Sequence, residues 1–526
     1  MKNISLAIVC LSVVGLAQAE RPNIVYMMAD DLGIGDVKCY GGDRCQTNTP
    51  ALDSLARDGM LFTDAHAIAS VCVPSRMGIM TGRYAWRFKA PEENGPWGFL
   101  NPRLKTDAFT VGRMLQDAGY HTGYIGKWHL GTLMQTKNGK NQGPDNVDYD
   151  RPLKIGPNDY GFKYSFILPG SLDMFPYAFA RNHYFQGNVT AQKGWSAFNR
   201  VGPAEDDFED YKVLDTFASE AEAFLERNAK PAHDGTPFFL YFALTAPHTP
   251  TSPSPKFRGK SDLGLYGDFV EEADDTMGRV LRALDKHGLR ENTLVVATSD
   301  HGAATYAGNI PKATVGQIHD LEKAGHYSGG IYRGFKFTVY EGGLRIPMLV
   351  RWPERVKAGS RSDALVGLND LTATVADIVD IELDPTVVPD SISYYPVLKN
   401  ARADSPRNTL VMQSPLAFLI RHENWKLAFT PSSGSRGTWG TKPDPDEAWG
   451  GALRAFGKKP ASADLRQAPF VQLFDLDGDV RERKNLAAER PEVVDRLSEM
   501  FDAEVARARN DVVDVRVHRN ATQWIK

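Results

Sequence analysis

The stretch from residue 23 to residue 31 reads NIVYMMADD and joins a short apolar run to a pair of acidic residues. Apolar runs of this length, bounded by polar residues, are typical of buried strands. A second stretch, TLVVATSDH at residues 293–301, has the same design and ends in an aspartate and a histidine. Because ligands gather at the carboxyl ends of strands in an α/β sheet, we predict that these two polar ends meet at one site.

Strand-like and helix-like segments alternate over most of the chain. The predicted buried strands are Asn23–Met28, Phe238–Leu244, Thr293–Thr298 and Pro347–Arg351, and the predicted helices are Phe109–Ala118, Phe208–Arg227 and Tyr266–His287. This alternation predicts an α/β sandwich with a mostly parallel or mixed central sheet.

The pattern changes after about residue 390. The predicted elements there are the short strands Thr409–Gln413, Phe418–Arg421, Trp425–Thr430 and Gln472–Leu476, a Gly-, Pro- and Ser-rich loop at Ser432–Ala448, and the helix Pro491–Arg509. We therefore expect a large domain over residues 20–390 and a smaller C-terminal α+β domain over residues 391–526, built on a short antiparallel sheet.

Length and charge limit the class of protein. The chain has 526 residues, of which 42% are hydrophobic and 24% charged, and its formal net charge is -4. This is ample for a sizeable core. The sequence has no basic stripe, so we expect no nucleic-acid partner.

Residues 1–19 have the layout of a secretory signal peptide. Lys2 gives the positive start, Ile4–Leu16 the apolar stretch, and Ala17-Gln18-Ala19 the small-residue cleavage site. The alternative, a membrane anchor, needs a longer apolar stretch. We expect a periplasmic or secreted protein without a stable membrane anchor.

Three cysteines remain once Cys10 leaves with the signal peptide. Cys39 and Cys45 are close enough in sequence to pair, although closeness does not prove a disulfide. Such a pairing would leave Cys72 as the lone thiol of an exported protein.

Cys72 begins the stretch CVPSRMGIMTGR, residues 72–83, which resembles the C-x-P-S-R…T-G signature of the type I sulfatases of the alkaline phosphatase superfamily. The resemblance implies an alkaline-phosphatase-like α/β/α fold. It also implies that a separate maturation enzyme oxidises Cys72 to Cα-formylglycine, and that Arg76 holds its hydrate and the charge beside the metal. The alternative for Cys72 is a buried structural thiol at a helix start.

The same resemblance implies a metal site at the two strand ends. Its ligands would be Asp30, Asp31, Cys72 in its converted form, Asp300 and His301. Carboxylate oxygens suit Ca²⁺ or Mg²⁺, and the family usually binds calcium. Many members of the family have Asn at the position of His301, and others have His. An acidic pair alone is more often a solvated turn.

Three further segments match motifs of this family. They are GYHTGYIGKWHLG at residues 119–131, TAPHTP at 245–250 and RGFK at 333–336, which continues to YEGGLRIP at 340–347. The match implies that Lys127, His129, His248 and Lys336 act on the sulfate group, whereas Glu341 and Arg345 organise a loop. For His129 alone, a hydrogen-bonded core histidine would be the more common explanation.

The stretch GSLDMFPY, residues 170–177, with Arg181, His183 and Tyr184, mixes aromatic and polar groups as a sugar site does. It resembles the substrate-side loop of sulfatases related to the N-acetylgalactosamine-6-sulfate enzymes, although a surface loop is nearly as consistent with it. We take Asp173, and also His326 beside Tyr327, as candidate sugar contacts.

These motifs predict an arylsulfatase-like sulfuric ester hydrolase that acts on a sulfated poly- or oligosaccharide. A formylglycine hydrate would attack sulfur, and one histidine would protonate the leaving alcohol while the other deprotonates the second hydroxyl. The alternatives are a phosphonate or phosphate monoester hydrolase of the same superfamily and a catalytically silent carbohydrate-binding relative. The motifs leave the sugar and the sulfate position open.

Overall fold

The computed structural model of the protein describes residues 21–89, 91, 95, 97–194, 199–306, 317–435 and 471–507. The expected signal peptide and most of the expected loop at Ser432–Ala448 lie outside these residues. Among the helices that are described, none has the length and apolar character needed to cross a bilayer.

The strands in the described part of the chain are β1 (Asn23–Asp30), β2 (Met60–Phe62), β3 (Ala65–His66), β4 (His121–Lys127), β5 (Tyr164–Leu168), β6 (Ala180–Arg181), β7 (Tyr184–Phe185), β8 (Ala191–Lys193), β9 (Gly202–Ala204), β10 (Phe238–Pro247), β11 (Thr293–Ser299), β12 (Met348–Arg351), β13 (Ser360–Ser362), β14 (Val366–Gly367), β15 (Thr409–Gln413), β16 (Phe418–His422), β17 (Trp425–Ala428) and β18 (Gln472–Asp475). The helices are α1 (Lys38–Gly41), α2 (Pro50–Asp58), α3 (Cys72–Thr81), α4 (Val111–Asp117), α5 (Val213–His233), α6 (Gly264–Lys286), α7 (Gln317–Lys323), α8 (Glu341–Leu344), α9 (Leu371–Ile378), α10 (Tyr395–Lys399) and α11 (Pro491–Arg507).

Ten strands form one large sheet in the order β13-β2-β12-β11-β1-β10-β4-β5-β6-β7. The five central strands, from β11 to β5, are parallel, whereas β12 is antiparallel to both β11 and β2. The prediction of a mostly parallel or mixed sheet is confirmed. The chain therefore leaves β2 and enters β12 at the same edge where the five parallel strands end.

The central strands are apolar because both of their faces are covered. Every residue of β1, β10 and β11 is buried, as expected for parallel strands between helical layers. Helices α2, α5 and α6 pack together and against β2, β4, β10 and β12. In a second group of helices, α3, which starts at Cys72, contacts α4 and α9.

Two predicted helices have different ends in the structure. The helix expected at Phe208–Arg227 runs instead from Val213 to His233. Phe208 lies in a turn whose amide donates to the carbonyl of Glu205, and Pro231 is tolerated because it removes only one bond near the helix end. The helix expected at Phe109–Ala118 starts at Val111, since the side chain of Thr110 caps it.

A separate antiparallel sheet, in the order β15-β16-β17-β18, follows the large one and packs against α11. Each of its strands lies within two residues of its predicted ends. Tyr394, Val397 and Leu398, beyond the expected boundary at residue 390, still belong to the core of the large sheet. The small sheet also pairs with the segment before Cys72, because the Gln413 amide donates to the Ile68 carbonyl at 3.0 Å and the Ser70 amide to the Gln413 carbonyl at 3.0 Å.

Buried charges join the two sheets. The Lys426 ammonium on β17 lies 2.9 Å from a carboxylate oxygen of Glu341 and 2.8 Å from one of Glu482, and all three side chains are fully buried. The other oxygen of Glu341 contacts His66 Nε2 at 2.9 Å and Arg345 Nε at 2.7 Å. This network fixes the turn that follows the loop carrying Lys336.

Replacing Lys426 by Met leaves the two glutamates buried without their shared cation. We expect Lys426→Met to lower the free energy of unfolding by about 3–5 kcal/mol. The control is Lys484→Met, because Lys484 pairs with Glu489 at the surface and should cost less than about 1 kcal/mol. Denaturant unfolding of both variants measures the difference, and similar losses would contradict a structural role for the network.

Candidate active site

Polar side chains at the ends of five adjacent parallel strands converge on one buried cluster, which we call the pocket. In sheet order, β11 leads to Asp300 and His301, β1 to Asp30 and Asp31, β10 to His248, β4 ends at Lys127, and β5 leads toward Asp173. Lys336 arrives on the segment before β12, and Cys72 on the segment after β2 and β3. The structure thus brings the two polar strand ends of the sequence together with the lysines and the cysteine.

Four buried residues offer donor atoms to one point. Asp30, Asp31, Cys72 and His301 each present one atom, and these atoms all lie within 4.8 Å of one another. His301 Nδ1 donates to the Gly302 carbonyl at 3.0 Å, so Nε2 keeps its lone pair, 3.4 Å from an oxygen of Asp31. Fixing the ring through its other nitrogen is usual for a metal-ligating histidine. The cluster could hold a metal ion.

Asp300 lies beside this cluster and is held by two neighbours. One of its oxygens accepts from the Asp31 amide at 3.2 Å, and the other accepts from Arg76 Nε at 3.1 Å and Nη2 at 3.0 Å. The Ser75 hydroxyl donates to the Asp300 carbonyl at 2.6 Å. Asp300 therefore ties the end of β11 to the first turn of α3.

Three buried cations oppose the three carboxylates. Arg76 bridges Asp300 and Asp30, the Lys127 ammonium pairs with Asp30, and the Lys336 ammonium lies 2.7 Å from an oxygen of Asp31. With all six groups ionised, their charges sum to zero. The six side chains are at most 4% exposed, so little water screens these pairs.

Cys72 is the first residue of α3 and is 3% exposed. Its Sγ atom lies 3.2 Å from His301 Nε2. The N-terminus of a ten-residue helix favours negative charge here through its free amides and its dipole. Burial nevertheless raises the pKa of the Cys72 thiol to about 12 against the pull of Lys336 and Lys127, which keeps the thiol protonated at neutral pH.

The carboxylates differ in their ease of ionisation. Burial raises the pKa of Asp30, but the charges of Lys127, Arg76 and Lys336 outweigh it, and this pKa lies well below its usual value. Burial together with the charges of Asp30 and Asp300 raises the pKa of Asp31 to about 7 in spite of Lys336. A cation beside Asp31 would favour its ionised form.

The histidines of the pocket are neutral. Burial, aided by nearby lysines, lowers the pKa of His129 and of His248 well below the usual value, and burial lowers that of His301 to about 4. His248 Nδ1 donates to the Thr249 carbonyl at 2.6 Å, and its Nε2 lies 3.8 Å from an oxygen of Asp31. The fixed positive charge of the pocket therefore resides on lysine and arginine.

Asp173 borders the pocket behind His248. Its carboxylate lies 3.9 Å from His248 Nδ1, and Arg200 Nη1 donates to its other oxygen at 3.0 Å. The oxygen nearer His248 is buried and makes no hydrogen bond. Of the candidate sugar contacts, Asp173 is the one that the fold places against the pocket residues.

The other candidates in this group have structural partners elsewhere. Arg181 pairs with Glu220, and His183 Nε2 lies 3.1 Å from Asp159. His326 is fully buried, receives the Gln46 amide on Nδ1 at 3.1 Å and contacts Asp36 through Nε2 at 2.8 Å. With both nitrogens engaged inside the protein, His326 presents no surface to a sugar, contrary to our expectation from its sequence position.

Two residues of the pocket were absent from the sequence prediction. Tyr306 is 4% exposed, and its ring centroid lies 5.5 Å from the Lys336 ammonium. The ring centroids of Tyr306 and His248 are 6.2 Å apart. Arg200, which lies 27 residues after Asp173 in the sequence, donates a hydrogen bond to its carboxylate. Neither residue lies in a motif, although the position of Tyr306 after the strand end at Asp300-His301 was a usable signal.

Known proteins resemble the chain over most of its length. A family model described as Sulfatase matches residues 22–381. An N-acetylgalactosamine-6-O-sulfatase of Bacteroides thetaiotaomicron is 30% identical over 529 residues, covering 92% of this chain and 93% of the relative. Human steryl-sulfatase is 32% identical over 438 residues, covering 73% and 71%.

The fold has a close counterpart among solved structures. A Bacteroides thetaiotaomicron protein, reported in connection with the metabolism of multiple glycosaminoglycans, superposes with a TM-score of 0.75 at 30% identity. The match covers 92% of this chain and 99% of the other.

Proposed function

Because the chain belongs to the sulfatase family and is a sulfuric ester hydrolase, we propose that it removes sulfate from a sulfated carbohydrate. The proposed nucleophile is the hydrate of a formylglycine formed from Cys72, and the proposed cofactor is one divalent cation, Ca²⁺ rather than Mg²⁺. The observation that carries the proposal is the meeting of Cys72 with Asp30, Asp31 and His301 among three buried cations. We also propose export of the protein and its maturation by a separate enzyme.

The donor atoms fit a hard cation once Cys72 is converted. Sulfur is a soft ligand that Ca²⁺ does not favour, and the Sγ position marks where an oxygen of the hydrate would stand. The remaining donors are carboxylate oxygens and one neutral imidazole. One oxygen of Asp30 makes no hydrogen bond, although Arg76 Nη2 lies 3.3 Å away, and it retains a lone pair for a ligand. When bound, the ion would supply positive charge beside the nucleophile.

The unmodified thiol is a poor nucleophile in this environment. Burial raises the pKa of Cys72 to about 12, whereas thiol enzymes depend on a low pKa. A hydrated aldehyde offers two hydroxyls instead. One can form the S–O bond to the substrate while the S–O bond to the alcohol breaks, and loss of the proton of the second then restores the aldehyde and expels sulfate.

Charge selects the group that is transferred. The carboxylates Asp30, Asp31 and Asp300 balance the cations Arg76, Lys127 and Lys336, so a divalent ion would leave the pocket with two positive charges. An anionic sulfate ester is the natural counter-charge. Fixed cations in a site that excludes water stabilise charge that develops on the transferred group.

Proton transfer falls to the histidines. His248 and His129 are neutral in the structure, and a bound sulfate would favour their charged forms. His248 Nδ1 is held by the Thr249 carbonyl, which leaves Nε2 on the side of Asp31, where the alcohol would depart. His129 Nδ1 is buried without a hydrogen bond and is available to take a proton.

The first test concerns Cys72. Protein made with a competent maturation system should carry an aldehyde at this position, visible by mass spectrometry, and should hydrolyse aryl sulfates far faster than aryl phosphates. Cys72→Ala should fold and lose at least about 1,000-fold in turnover, since it lacks the nucleophile. Ser70→Ala, two residues earlier, is the matched control. An active Cys72→Ala protein would refute covalent catalysis, and a preference for phosphate would favour the phosphohydrolase alternative.

The second test concerns the metal. Ca²⁺ at about 100 times its dissociation constant should stabilise the protein by about 2.7 kcal/mol, measured as a rise in unfolding temperature. Asp31→Asn and Asp300→Ala should remove most of this rise and the activity. Asp274→Asn, which alters a buried carboxylate on α6, should keep the calcium effect. Full activity after exhaustive metal removal would show that the assignment is wrong.

The carbohydrate proposal rests on Asp173. Its carboxylate lies 3.9 Å from His248 Nδ1, beside the ring whose Nε2 would face the departing alcohol, and one of its oxygens makes no hydrogen bond. A buried carboxylate oxygen without a donor suits a sugar hydroxyl. The relative named N-acetylgalactosamine-6-O-sulfatase supports a sugar as the substrate class.

The third test separates sugar recognition from sulfate chemistry. Asp173→Ala should reduce kcat/KM at least about tenfold on a sulfated sugar, because a buried hydrogen bond to a hydroxyl is lost. The loss on an aryl sulfate should stay within about twofold, since a good leaving group needs little binding energy. Asp145→Ala, in an exposed loop, is the control. Equal losses on both substrates would mean that Asp173 shapes the pocket itself.

A further inference from the structure

A second cleft lies beside the loop that carries Lys336. We call it the cationic cleft, and its charged lining consists of Arg44, Arg333, Arg481, Arg483 and Glu322. Tyr327 supplies aromatic surface, and Ile331, which is 43% exposed, stands at the rim of the cleft. Four positive charges thus face one negative charge.

The arginines of the cationic cleft are oriented without counter-ions. The Arg44 guanidinium carbon lies 3.6 Å from the centroid of the Tyr327 ring, and that of Arg333 lies 3.7 Å from the Tyr340 ring. Arg333 Nη1 donates to the carbonyl of Glu482. Within the described part of the chain, no carboxylate pairs with any of the four guanidinium groups, and buried nitrogens of Arg44 and Arg333 make no hydrogen bond.

Of the six arginines that are buried among the described residues, all but Arg351 are paired with a carboxylate. Arg87 lies 2.6 Å from Asp390, Arg421 lies 2.6 Å from Asp64, and Arg407 pairs with Asp370. Partly buried positive charge is costly without a partner, so a group of unpaired arginines indicates an anionic ligand. Arginine is also the side chain best suited to the planar recognition of carboxylate and sulfate-like groups.

The cationic cleft adjoins the active site through two segments. Phe335 lines it and immediately precedes Lys336, whose ammonium lies 2.7 Å from Asp31. On the other side, Gly330 packs closely against Gly35, four residues after Asp31. A chain molecule with its scissile sulfate beside Asp31 could therefore extend into the cleft.

We infer that the cationic cleft binds a second anionic group, a sulfate or carboxylate, on another sugar unit of the same glycan chain. This inference rests on the proposed function and deepens it. The preferred substrate is then a polyanionic oligosaccharide, not a singly sulfated sugar. Arginine holds the anionic group, and Tyr327 with Ile331 gives an apolar surface for the sugar ring.

The test uses Arg481→Ala/Arg483→Ala in the matured full chain. Arg483 is exposed and Arg481 half-buried, and their side chains make no hydrogen bond or ion pair within the described residues, so the fold should tolerate both changes. The control is Arg355→Ala/Lys357→Ala, which removes two exposed charges just after β12, at the opposite edge of the sheet.

Three substrates with the same scissile sulfate are compared: a monosaccharide, a neutral-chain oligosaccharide, and one with additional sulfate or carboxylate groups. For the polyanionic substrate we expect KM to rise about tenfold in the Arg481/Arg483 variant with kcat unchanged, because two charge-assisted contacts are lost. KM for the other two substrates should change less than about twofold. Added salt should raise the wild-type KM for the polyanionic substrate and reduce the difference from the variant.

Two results would overturn the inference. One is an equal change of KM on all three substrates, or the same change in the control, either of which would indicate general electrostatic attraction. The other is an effect of inorganic sulfate on monosaccharide turnover that differs between the wild type and the Arg481/Arg483 variant, which would indicate a site for free anions. If the wild type cleaves aryl sulfates but none of the three sugars, the proposed carbohydrate function fails instead.

Discussion

The structure depends on the placement of three buried carboxylates at the ends of two neighbouring strands. Two like charges at 4 Å repel by about 4 kcal/mol at the effective dielectric constant of a protein. Asp30, Asp31 and Asp300 can remain together only because Arg76, Lys127 and Lys336 lie against them. Each of these cations comes from a different part of the chain, so the charge balance also specifies which segments must meet at the sheet edge.

The topology delivers those segments. Since β12 is antiparallel to β11, the chain that enters it passes the carboxyl edge and brings Lys336 there. The segment after β2 and β3 brings Cys72 and Arg76 to the same edge. The small sheet holds this segment through Gln413 and holds the turn after Lys336 through Lys426. The C-terminal sheet thus buttresses the pocket although it contributes no group to the donor cluster.

The sequence predicted those parts of this design that depend on local pattern. The apolar runs of β1, β10 and β11 and the polar residues that follow them indicated both the sheet and the edge at which the site lies. Strand β4 has no such run, because Gly126 replaces an apolar residue where a Cβ atom would lie 1.7 Å from the Ala243 carbonyl oxygen. His326 and Arg181 looked like surface contacts because nothing local reveals partners such as Asp36 or Glu220, which lie 290 and 39 residues away.

Burial affects the protonation of the lysines, arginines and histidines of the pocket differently. Desolvation opposes every charge, but the groups differ in their ordinary pKa values. A lysine or arginine beside a carboxylate stays charged, whereas a histidine, whose ordinary pKa is near neutral pH, becomes neutral. The pKa of Lys336 accordingly lies well above its usual value, and that of His248, which contacts the same carboxylate, lies well below. One environment therefore produces both fixed positive charge and neutral imidazoles, the two features that the proposed sulfate chemistry uses.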